Sequence, residues 1–144
     1  VLSGAIAEGL YFVDGDLRLN DVQAEHVTFV ATGKIAINGN TAVNTNPANP
    51  ATAPWDPDGL SLFSNEEETG AACNTNAIQW SSSGVTWGGI QYAPNGAIDM
   101  SAASNSVFDG SIIAYTVNLS GSDISFEASS TDEGTRLSVL ELED

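Results

Sequence analysis

The 144-residue chain has one cysteine, Cys73, and one histidine, His26, so several chemistries are absent from the start. No intrachain disulfide and no thiolate metal cluster can form, and no site can draw on two imidazoles. Basic residues are equally scarce. Arg18, Lys34 and Arg136 face nineteen carboxylates, a formal net charge of -16. Such a surface repels phosphate instead of gaining from counterion release, so nucleic acid is not an expected partner. No apolar run approaches the eighteen or so residues of a membrane span, and no signal peptide is visible. A Val in first place, where a nascent chain has Met, is what a processed or trimmed chain would show.

Helical periodicity is also lacking. Apolar residues recur instead at every second position: Leu17-Arg18-Leu19, Val27-Thr28-Phe29, Ile35-Ala36-Ile37, Ile78-Gln79-Trp80, Ile98-Asp99-Met100. That alternation belongs to half-buried strands, and the fold class read from it is all-β, in one domain spanning residues 1–144.

The strands also repeat. "YFVDGDLRLN" (11–20) lies over "FVATGKIAIN" (29–38) at a constant offset, Gly15 on Gly33, Leu17 on Ile35, Leu19 on Ile37 and Asn20 on Asn38. "IQWSSSGVTWGGIQYA" (78–93) matches "IDMSAASNSVFDGSIIA" (98–114) after one insertion, and "VNLSGSDISF" (117–126) starts the unit again. A period of about twenty residues suits one turn of a three-sided β-solenoid, whose turns stack at the ordinary strand spacing of about 4.8 Å. Gly and Asn fall where corners demand unusual backbone angles. A β-sandwich shares the alternation, yet its turns come every 8–12 residues without an in-register echo. The expectation is six to seven turns. Residues 38–59, with four of the five prolines, should leave the coil as an excursion; 64–76 should form a second polar loop, and 135–144 a terminal strand.

The segments "GLYFVDGDLRLN", "VTFVATGKIAING", "GLSLFSN", "GGIQYAPNGAIDMS" and "VFDGSIIAYTVNLSGSDISF" together resemble the solenoid domain near the C-terminus of bacterial and archaeal envelope proteins of the pilus-associated TadE/TadG-like kind. The similarity spans most of residues 9–126. It implies a right-handed β-helix, a place outside the cytoplasmic membrane, a structural or adhesive role and no catalytic residues. The hydrophobic N-terminal segment typical of those proteins is not in this sequence. A weaker resemblance is to β-helical ice-binding proteins, although Thr28, Thr86 and Thr116 occur singly and build no Thr-x-Thr ladder.

Few constellations suggest chemistry. Asp14 and Asp16, and Asp56 and Asp58, offer oxygens that a calcium ion could use, but also suit turns. As glycosidase pairs they would lack the long groove and the arginines that hold acidic sugars, so the chain reads as no enzyme and needs no cofactor. His26 falls at a probable corner with no nucleophile at a telling spacing, and Cys73 reads as a small apolar residue. Trp80, Trp87, Tyr92 and Phe108 sit at repeat positions and read as core or ladder packing. Trp55 lies in the Pro-rich stretch, where it is a candidate contact surface. Asn118-Leu119-Ser120 is a glycosylation sequon, and with the Asn/Thr/Ser/Gly-rich, lysine-poor composition it leans towards the cell exterior. A solenoid must cap its two ends or pair them with another chain. The function expected is therefore a structural subunit or module of a surface filament, self-associating head to tail through solenoid ends or exchanged terminal strands. The alternative is a monomeric adhesion module for a glycan or ice.

Overall fold

The structure is a computed structural model that describes residues 1–44, 59–67, 75–101 and 103–127. Among these residues there is no helix, and eleven strands join into one sheet with only parallel pairings. They are β1 (Leu2–Ile6), β2 (Gly9–Val13), β3 (Leu17–Glu25), β4 (Val27–Ala31), β5 (Ile35–Asn38), β6 (Ala42–Asn44), β7 (Leu60–Ser64), β8 (Asn76–Ser81), β9 (Thr86–Asp99), β10 (Ser106–Asn118) and β11 (Ile124–Glu127).

Three stacks of pairings make three faces. On the first face, Leu17, Ile35, Ile78, Ile98 and Val117 follow one another from coil to coil. The second face stacks Ile6, Ala24, Val43, Trp87, Phe108 and Phe126. The third stacks Tyr11, Phe29, Leu62, Gln91 and Ile112. The fold is a parallel β-solenoid, as the repeat predicted, and Leu17 does pair with Ile35.

The turn count is about five, not six to seven. The estimate divided the whole chain by the repeat, but Ile35 pairs with Ile78, so that circuit takes more than twice the usual length of chain. Within the span expected to leave the coil, Ala42–Asn44 is instead a solenoid strand with Val43 fully buried against Trp87's coil; residues 45–58 of that span lie outside the described residues. The second loop likewise loses its ends to strands, Ser64 to β7 and Asn76 to β8. The terminal strand expected at 135–144 lies outside the described residues.

Inward residues alternate with outward ones because successive side chains of a strand point to opposite sides. β3 shows this plainly, with Leu17, Leu19, Val22 and Ala24 buried and Arg18, Asn20, Gln23 and Glu25 exposed. The extra residue between Leu19 and Val22 is Asp21, which turns the first corner at φ 52°. His26 (φ 54°), Asn105 (φ 49°) and Asp123 (φ 55°) bend other corners in the same left-handed region. Between the second and third faces of the last two full coils there is no loop at all. β9 and β10 run straight through, bending at Gly89 (φ 93°) and Gly110 (φ 150°), which pair with each other. A Cβ on Gly110 would collide with the backbone carbonyl of Gly89. The two coils meet there more closely than any other residue permits.

Part of the core is an aromatic cluster. Trp80 packs edge-on against Trp87, centroids 4.6 Å apart at 85°, and against Phe108 at 5.2 Å. Phe126 stacks on Phe108 at 5.6 Å. Each buried indole needs a partner for its N–H. Trp80 Nε1 donates to Gln91 Oε1 (2.9 Å), and Trp87 Nε1 donates to Ser61 Oγ (2.9 Å). Gln91 and Ser61 are buried polar residues with that task.

Candidate functional site: corners, faces and ends

Asp14 and Asp16, singled out from the sequence, are corner staples, and so is Asp21. Asp16 Oδ1 accepts the Lys34 N–H (2.9 Å), one coil further on, and Asp21 Oδ1 accepts the Asn40 N–H (3.0 Å) in the same manner. Asp14 Oδ1 accepts from Thr32 Oγ1 (3.0 Å), which itself accepts the Gly15 N–H (2.7 Å). Each carboxylate thus satisfies chain that leaves the sheet ladder at a bend. Among the described residues no group of three or more His, Cys, Asp or Glu is placed to hold a metal ion. Asp56, Asp58, Trp55 and Cys73 lie outside the described residues. His26 is a half-buried corner residue whose carbonyl accepts the Gly9 N–H (3.2 Å). Asn118, Leu119 and Ser120 are all exposed, so the sequon is accessible. Trp80, Trp87 and Phe108 are core, whereas Tyr92 is half-buried beside Phe63, 5.6 Å away.

Charge is unevenly placed on the outside. On the first face, Arg18 and Lys34 line a shallow depression with Asn20, Asn38 and Gln79. Lys34 Nζ donates to Gln79 Oε1 (2.6 Å). Asp16 sits at its rim with Oδ1 bonded to the Lys34 N–H. Further along the same face is Asp99. Burial works to raise the pKa of its carboxyl, but the side chain and N–H of Ser101, the Asn76 amide and the Lys34 charge outweigh it and leave the pKa below the ordinary 3.8. The second face carries Glu25 and Asp109 on its outer side.

The third face is different. Its outward positions are Leu10 and Phe12, Thr28 and Val30, Phe63, Ile90 and Tyr92, and Ser111 and Ile113; none of these is charged. Phe12, Val30, Phe63, Tyr92 and Ile113 stand in one row along the axis. The row is not legible in the sequence, because its members are scattered from Phe12 to Ile113 and only the strand register aligns them.

At the first end, among the described residues, β1 pairs only with β3 and β2 only with β4, so each has one edge without a described partner. Leu2, Ile6, Tyr11 and Val13 pack on the core but stay partly uncovered. At the other end, among the described residues, β11 pairs only with β10, and Val117 and Phe126, which continue the core columns, are 39% and 47% exposed. Among the described residues no helix is long and apolar enough to cross a membrane.

No curated protein and no solved structure matches this chain. A family model does match, over residues 5–133. The repeated strands, corners and open first coil all fall within that span or at its border, and the chain belongs to the family described as Domain of unknown function (DUF7305).

Proposed function

We propose that this domain is a non-enzymatic structural protein of the cell exterior, a subunit or module of a surface appendage that joins head to tail through solenoid ends or exchanged terminal strands. The observation that carries the reading is the state of the two ends among the described residues: each has a strand edge without a described partner and apolar columns that stop half covered. Bare edges of this kind are templates for another chain. A contact between unlike ends repeats without closing, which is how a filament grows. The acidic surface and the resemblance to pilus-associated envelope solenoids support the same reading. Electron microscopy and light scattering of the purified chain test it. Filaments or a ladder of oligomers are expected; a species of 14.9 kDa at every concentration would end the proposal.

The uncharged row on the third face favours a second reading, a monomeric adhesion module. Phe12, Phe63 and Tyr92 are ring-bearing residues on a flat strand surface, the kind of platform on which the apolar face of a sugar stacks. Under this reading a glycan array gives binding that Tyr92→Ala abolishes, with the protein monomeric throughout.

A further inference from the structure

We infer that the first-face edge of β1 accepts the acidic C-terminal segment Thr135–Asp144 of a second copy, as an added parallel strand. The inference deepens the head-to-tail reading and rests on it. Three observations select this edge and this occupant.

The first is charge. Arg18 and Lys34 are the basic residues of the described chain, and both lie on the first face within the opening coils. The neighbouring ends differ: the second face begins beside Glu8 and Glu25, and the third offers only Leu10 and Phe12. The second is pattern. In "SVLELED", Leu140 and Leu142 alternate with Glu141 and Glu143. A strand of this type laid on β1 puts its leucines over the uncovered Leu2 column and its glutamates on the outer side, next to Ser3 and within reach of Arg18. The third is register. Among the described residues Leu2 and Ser3 pair with Leu19 and Asn20 on one side and with no strand on the other, which leaves that side's carbonyls and amides for an added strand.

The experiment uses full-length chains carrying Cys73→Ser. One population carries Ser3→Cys and the other Glu141→Cys. The two are mixed, dispersed, reassembled and oxidised. A disulfide-linked species of twice the chain mass, formed in the mixture and in neither population alone, is the expected result. In parallel, Arg18→Glu lowers the assembled fraction several-fold, and Glu141→Arg with Glu143→Arg in the same chain restores it. A crosslink formed within a single chain that carries both cysteines, and absent from the mixture, would show that the segment covers its own copy and overturn the inference. Assemblies that persist without any crosslink and ignore the charge reversal would overturn it too, while leaving head-to-tail association standing. No assembly in any chain would remove both.

Discussion

Replacing Gly110 by Ala separates close coil packing from backbone strain. The new methyl meets the Gly89 carbonyl, and that carbon and nitrogen also lie within 3 Å of it. These are backbone atoms of the neighbouring coil, so relief requires the two coils to part where Trp87 pairs with Phe108 and Ile90 with Ser111. Overpacking of this sort costs about 1–3 kcal/mol. The φ of 150° adds roughly 1–3 kcal/mol more, since only glycine adopts that region freely. The sum is about 4 kcal/mol, a large share of the ~5–15 kcal/mol available to a domain. At about 4 °C per kcal/mol the melting temperature should fall by roughly 15 °C. Gly84→Ala is the control. Gly84 has φ 68°, but a Cβ there meets nothing within 4 Å, so only the left-handed backbone counts, about 1 kcal/mol and some 4 °C. Urea titration followed by far-UV circular dichroism measures both. Equal losses in the two variants would refute the close approach of the coils at Gly110.

Other expectations follow from the polar contacts. Gln91→Leu strands the Trp80 N–H and Trp80→Phe strands the Gln91 carbonyl, each costing about 1–3 kcal/mol. Because Leu62 and Ile112 flank Gln91 in its column, the double variant should be more stable than additivity predicts, and a strictly additive cycle would contradict the hydrogen bond. Asp99, with a folded pKa below 3.8, contributes stability that is present above that value and lost as the pH falls through the lowered one. Asp99→Asn should therefore flatten the acid limb of a stability-pH curve below about 3.8 and leave its neutral slope unchanged. Asp16→Ala removes the bond to the Lys34 N–H and should cost about 1 kcal/mol with or without added calcium. A loss seen only in calcium would instead reveal a cation held at that corner.

The first face was legible early in the chain. Leu17, Leu19, Ile35 and Ile37 repeat in type as well as spacing, so aligning two stretches of sequence was enough to align the strands. The second face was legible only in the later coils, where the aromatics Trp87, Phe108 and Phe126 echo one another; Ile6, Ala24 and Val43 are too unlike them for the column to be followed back. Prolines further along masked the strand character of Ala42–Asn44, in which only Val43 is a good strand former. Gln91 could not be recognised as core either. Its burial depends on an indole contributed from the first face of the same coil, and nothing local to "GIQYA" announces that. Asp14 and Asp16 suited turns on the sequence alone, but the partners one coil away came only from the register, and the like role of Asp21 was not read at all.

Since every rung is parallel and in order, the bonds joining coils lie along the long axis and the strands lie across it. Tension applied between the two tips would therefore load these bonds one coil at a time, like a zipper, instead of shearing a whole row together. A coil of about twenty residues pulled straight reaches roughly 65 Å, against the 4.8 Å it occupied when wound. A thread built this way would yield gradually under drag, lengthening many-fold at low force before any covalent link was strained.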